Sequence, residues 1–194
     1  LPSPLAIHHT PLPLYLKLKS QVRCLNEDVH GSVRSVFKPW NDRLNPSEIT
    51  LKSDPDDSEL LIHIPFDGMV KLRAICIIGG TNDSSPSKLR VFTNRDDLDF
   101  AAVENGAPVQ EWDLNENFNG EIEYPTTVSK FNGVYSIDLH IPASFGASFT
   151  EVTFIGLKGE WESRRREAVQ AIYESRAMPK DHKVPEEQGA GWKM

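Results

Sequence analysis

Through the middle of the chain, apolar and polar residues alternate with a period of two, the pattern of strands that bury one face. In VYSIDLHI (134–141), Tyr135, Ile137, Leu139 and Ile141 are expected to face inward, with Ser136, Asp138 and His140 outward. In VKLRAICII (70–78), Val70, Leu72, Ala74, Cys76 and Ile78 share one face. The other face opens on Lys71 and Arg73 and turns apolar at Ile75 and Ile77, as in a strand that becomes more deeply buried along its length. ELLIHIPF (59–66) sets Leu60, Ile62, Ile64 and Phe66 against Leu61, His63 and Pro65. Pro65 lacks a ladder donor and so predicts a strand end or an edge. KLRVF (88–92), EIEY (121–124) and TEVTFIGL (150–157) continue the series. Turn pairs separate the runs: Gly79-Gly80, Asn82-Asp83, Ser85-Pro86, Asn105-Gly106, Asn119-Gly120 and Asn132-Gly133.

Many short strands, frequent turn signals and no long amphipathic helix predict an all-β sandwich or jelly roll. The helical competitor is ESRRREAVQAIYE (162–174), where Ala168, Ala171, Ile172 and Ser175 make only a weak stripe. A charged turn leading into a strand at 168–174 is the preferred reading. Residues 1–13, LPSPLAIHHTPLP, carry four prolines and no basic start, so they predict an extended arm and not a signal peptide. Residues 179–194 lack periodicity and predict a tail, leaving a domain at 14–178. With Leu1 at its start, the chain is expected to be a fragment or a processed form.

Composition narrows the function classes. Of 194 residues, 21 are Lys or Arg and 28 are Asp or Glu, a formal charge of −7. That balance argues against nucleic acid or an anionic membrane as partner, because both select a positive surface. No apolar run is long enough to span a bilayer. The two cysteines, Cys24 and Cys76, suit a reducing compartment. A cytoplasmic location, extending to the nucleus, and a monomeric state are expected.

Catalytic signatures are scarce. There is no GxSxG elbow, no CxxC pair and no phosphate-binding glycine loop. Cys76 sits among apolar strand residues and reads as an inert core thiol; Arg23 beside Cys24 could lower its pKa. His63 and His140 have outward parity and read as solvent-face residues, with a groove-lining role as the alternative. His8-His9 lacks further ligands for a metal. SDPDDSEL (53–60) resembles a calcium loop only superficially, since the sharp-turn glycine and the distant bidentate Glu are missing; it reads as a solvated acidic turn. No cofactor is expected.

Two aromatic and basic clusters stand apart: Phe37, Lys38, Trp40 and Arg43 in SVFKPWNDR, and Trp161 with Arg164, Arg165 and Arg166 in GEWESRRRE. Trp and Arg are enriched where proteins bind each other. The clusters therefore read either as a protein-interaction surface or as tryptophans capping the ends of the sandwich beside solvated arginines. Trp112, with Asp113 and Asn115, is the candidate platform for a rival small-ligand or glycan-binding function.

These residues carry a family resemblance. LY (14–15), CLNE (24–27), SVFKPW (35–40), SDPDDSELL (53–61), IPF (64–66), VKL (70–72), PSKLR (86–90), FGA (145–147), FIGLKGEW (154–161) and DHK (181–183) occur in the order found in stand-alone PITH-domain proteins. The sequence resembles that family along nearly its whole length. The resemblance implies a jelly-roll β-sandwich of galactose-binding-like type without established catalytic residues. It also implies an adaptor role, with the proteasome as leading partner, because the domain tethers a thioredoxin-like relative to the proteasome. No WCGPC-like motif occurs, so redox catalysis is not implied. The family's usual His- and Cys-rich start is replaced by LPSPLAIHHTPLP, and the stretch after LY reads LKLKSQV where an Ile-Asp pair is usual. Metal binding by that start is therefore not implied here.

Overall fold

A computed structural model describes residues 21–162; the expected arm, the strand at 168–174 and the tail lie outside these residues. The described strands are β1 (Arg23–Leu25), β2 (Leu51–Lys52), β3 (Leu60–Gly79), β4 (Lys88–Thr93), β5 (Gln110–Asp113), β6 (Tyr124–Pro125), β7 (Val134–Ile141) and β8 (Glu151–Glu162). One short helix, α1 (Phe100–Asn105), stands between β4 and β5, with the Asp99 carboxylate accepting from the Ala102 N–H at its start. All pairings are antiparallel, in the order β2-β8-β3-β7-β4-β5, with β1 and β6 also on β3.

The two sequence runs at 59–66 and 70–78 are one strand of 20 residues, long enough (about 66 Å if fully extended) to serve two layers. Its first part pairs with β1 and β7, and its second with β8 and β6. Leu60, Ile62 and Ile64 from the first part join Leu72, Ile75 and Ile77 from the second in one core cluster, with Leu89, Val91, Ile137, Leu139, Val152 and Ile155. The two halves therefore face each other across a shared interior, which makes a sandwich. Pairing with β7 breaks between Pro65 and Val70, so Pro65 marks a ladder break inside the strand and not its end.

A second irregularity corrects the parity expected for 70–78. The register against β8 shifts between Leu72 and Ala74. Val70 and Leu72 face the main core before this bulge, and Ile75 and Ile77 after it. Cys76 and Ile78 pack on the opposite side, with Phe154 and the half-buried Trp40. One extra residue inverts every later side chain, because the strand repeat is two. EIEY supplies only the Tyr124 end of β6, while β5 and α1 had no expected counterpart.

The CLNE segment has a structural task. The Glu27 carboxylate accepts from the backbone N–H groups of Gly31 and Val33 at 2.5 and 3.0 Å and from the Ser32 hydroxyl at 3.2 Å. It thereby anchors a short 3-10 turn (Ser32–Val36) that delivers Val33, Val36 and Phe37 to the core. Gly31 begins that turn at φ 83°, where a side chain would be strained. Replacing Glu27 with Ala leaves buried donors without an acceptor and is expected to destabilise the domain by about 2–3 kcal/mol. Urea unfolding checks this, and Glu27→Gln, which keeps an acceptor oxygen, should lose less.

Candidate functional site

The SVFKPWNDR cluster divides when it folds. Phe37 is 2% exposed and belongs to the main core, so it contributes packing and no contact surface. Trp40 is half-buried, edge-on to Phe154 at 5.9 Å between ring centroids. The Arg43 guanidinium lies 4.3 Å over the indole, donates to the Trp40 carbonyl, and reaches across to the Asn119 carbonyl at 3.2 Å. Lys38 closes the loop by donating to the Asn45 carbonyl at 2.9 Å. These bonds fix residues 38–45 as a knob tied to the 117–120 turn. Leu44 and Phe118, 54% and 50% exposed, flank the Arg43–Asn119 bond in sequence. Neither stood out in the sequence, since an isolated Leu or Phe carries no sign of exposure.

The second cluster is not described in the same detail: Arg164, Arg165 and Arg166 and the Trp161 side chain lie outside the described residues. The Trp161 backbone pairs with Val70, seven residues along β8 from the Phe154 that supports Trp40. That spacing is about 23 Å along the strand. The Trp40 knob and the Trp161 backbone thus sit at separate stations on β8.

Trp112 is no open platform. Its ring leans toward Phe131 at the core, and its N–H donates to the Pro125 carbonyl at 3.3 Å. Asp113 pairs loosely with Lys88, and the Asn115 N–H donates to the Tyr124 hydroxyl.

The larger departure from expectation is on the outer face of β3, β7 and β4. Ser136, Asp138 and His140, expected in solvent, are all buried. The segment between β4 and β5, including α1, covers this face through Leu61, Phe92 and Val103, joined by Leu98 and Phe100. Register places two polar rows beneath it. One runs Leu25, Leu61, His140, Arg90, Glu111; the next runs Arg23, His63, Asp138, Phe92. In the first row, the His140 Nε2 is 2.6 Å from the Glu59 carboxylate and its Nδ1 is 3.5 Å from Arg90. Arg90 also donates to the carbonyls of Val103 and Gly106, stitching the covering segment down. Glu59 thus leaves the acidic turn, while Asp54 and Asp57 accept from the backbone N–H groups of Asp56 and Glu59. In the second row, the His63 Nδ1 is 2.7 Å from the Asp138 carboxylate, and its Nε2 is 4.0 Å from Asp96. An ionised carboxylate only accepts, so Nδ1 carries the proton and Nε2 is left facing outward. Among the described residues, no group of three metal-ligating side chains exists.

Both thiols are held in their neutral forms. Burial pushes the Cys24 thiol up, with Glu27 adding repulsion, so Arg23 does not activate it. Burial also raises Cys76, to about 11, against a smaller opposing hydrogen bond from Asn117.

Four likenesses accompany this geometry. The profile of the PITH domain matches residues 15–177. PITH domain-containing protein 1 of Homo sapiens is 45% identical over 173 residues, covering 88% of this chain and 81% of its own length. The Dictyostelium discoideum protein of the same name is 42% identical over 162 residues, covering 84% and 79%. Among solved structures, the C-terminal domain of a chitobiase from Bacteroides fragilis aligns with a TM-score of 0.50 at 14% identity, over 75% of this chain and 98% of that one. The fold is the antiparallel jelly-roll sandwich of galactose-binding-like type.

Burial holds the His140 pKa below its usual value; the nearby Arg90 charge works in the same direction and Glu59 against it. The unfolded chain therefore takes up a proton near pH 6.5 that folded His140 refuses, so stability falls as pH drops below about 6.5. Urea midpoints at pH 7.5 and 5.5 should show this loss, and His140→Gln should reduce it. In the native protein, neither cysteine should be alkylated by iodoacetamide at pH 8, whereas mass spectrometry should find both modified in urea.

Proposed function

The chain belongs to the PITH-domain family, and we propose that it is a non-catalytic adaptor domain that binds protein partners, the proteasome first among them. The observation that carries this reading is the Trp40–Arg43 knob, a stacked aromatic and guanidinium pair bordered in sequence by exposed Leu44 and Phe118. Stacking and three hydrogen bonds to carbonyls hold the knob in place before any partner arrives, which lowers the ordering cost of association. Aromatic and Arg side chains on a fixed support are the usual anchors of protein interfaces. The proteasome enters from the family resemblance, with Trp161, Arg164, Arg165 and Arg166 as a second contact region. The proposed protein is monomeric and works in the cytoplasm and nucleus, where its buried thiols stay reduced.

The glycan-binding alternative has no specific observation in its favour. Its candidate ring, Trp112, spends its N–H on Pro125 and one flank on the core. Likeness of fold at 14% identity carries no function.

The test is capture of intact proteasome by the immobilised chain. Leu44→Ser with Phe118→Ser should reduce capture at least tenfold with an unchanged thermal midpoint, because both side chains are already half exposed. Val128→Ser, on a similarly exposed residue elsewhere, should capture as the parent does. Changing Arg164, Arg165 and Arg166 together to Ala tests the second region separately. Equal capture by parent and both variants would remove both surfaces, and no capture by the parent would remove the proteasome.

A further inference from the structure

Beside the second polar row lies a cavity of about 100 Å³, room for roughly three water-sized groups. Its walls combine two kinds of residue. Leu25, Leu61 and Leu98 supply an apolar side, while His63, Asp138 and Asp96 supply acceptors; Arg23 stands at the same opening. Asp138 is buried, and its Oδ2 has no hydrogen-bond partner among the described residues. Its Oδ1 holds the Nδ1–H of His63 at 2.7 Å. A buried carboxylate in this position fixes the ring and strengthens the outer nitrogen as an acceptor.

When the imidazole is neutral with its proton on Nδ1, the outer acceptors are the His63 Nε2 and the Asp96 Oδ1, 4.0 Å apart. Two acceptors at that spacing call for one donor between them. A nitrogen about 2.85 Å from each would see them at an angle near 90°, which suits two N–H bonds of one ammonium group. A zinc ion bonded at about 2.1 Å to each would need an angle of about 145°, far from tetrahedral, and no third ligand is at hand among the described residues. The three leucines give the donor's carbon stem an apolar wall. Among the lining residues, Asp96 and Asp138 together outweigh Arg23 in charge, and the nearby Arg95 is paired with Asp97.

We propose that this cavity is a binding site for a primary alkylammonium group, the chemistry of a lysine side chain or a small free amine. The ammonium bridges the His63 Nε2 and Asp96, with its methylenes against Leu25, Leu61 and Leu98. The site is independent of the Trp40 knob and stands or falls separately from the adaptor reading.

The experiment is a nuclear magnetic resonance titration of the ¹⁵N-labelled chain at pH 8 with n-butylammonium chloride. The His63 ring and the amides of Leu61, Asp96 and Leu98 should shift and saturate. Tetramethylammonium, equally charged but without N–H groups, should produce no saturating shift. Asp96→Asn should weaken n-butylammonium binding at least fivefold; that side chain is 74% exposed, so the change spares the fold. Nα-acetyl-lysine N-methylamide is the second arm. Tighter binding than n-butylammonium assigns the site to a lysine of a partner protein, and weaker binding to a free amine. Equal, non-saturating drifts with both cations would overturn the proposal. So would saturation by acetate, which would make Arg23 the anchor of an anion site, or by Zn²⁺ in place of the amine.

Discussion

Strand β3 is the constraint on which the other elements depend. It pairs with β1, β6, β7 and β8, and its two halves line opposite walls of one core. A strand serving two layers must bend, and its ladder breaks where it does so, between Pro65 and Val70. The later bulge near Arg73 then decides which apolar residues become interior. Before it, Val70 and Leu72 face the core; beyond it, Ile75 and Ile77 do, and Cys76 and Ile78 are turned to the other side. That reversal gives Trp40 its support, because Phe154 and Ile78 form an apolar patch on the outside of the sheet for the knob to cover.

The outer face of β3, β7 and β4 buries polar groups where a simple sandwich would be wet. The segment between β4 and β5 lies over His63, Asp138 and His140, held by Arg90 and by a small apolar cluster of its own. Burial raises the value of each hydrogen bond and the cost of each one missing. Most partners are therefore supplied: Glu59 for His140, Asp138 for His63, and carbonyls for Arg90. The Ser136 hydroxyl and the Asp138 Oδ2 are the buried side-chain atoms left without a bond among the described residues. Asp138 also lines the cavity, so its incomplete polar row and the candidate ligand site occupy the same face.

The candidate surfaces were legible to different degrees. Trp40 and Lys38 stood out in the sequence because Trp beside basic residues is an unusual combination. Phe37 in the same cluster went to the core beside Val36, because it directly follows the 3-10 turn that Glu27 anchors there, and only from Lys38 onward does the segment turn outward. Leu44 and Phe118 could not be read as a surface, because the bond that they flank joins segments 76 residues apart. The His63–Asp138 pair escaped for a similar reason. Outward parity was correctly assigned to both, but parity says which face a side chain takes and not what covers that face.

The sequence by itself determined the all-β class, the approximate places of the main strands and their turns, and the family. These follow from the period-two alternation, the Gly, Asn and Pro punctuation, and an ordered set of short matches. Only the tertiary structure decided that two expected strands are one, where its register slips, and that α1 and its flanking loops roof the outer face. Alternation is a local property set by neighbours two residues apart. Bulges and roofs depend on pairing and contacts between residues tens of positions apart. A single shifted pair or covering loop then reassigns whole rows of side chains between water and core.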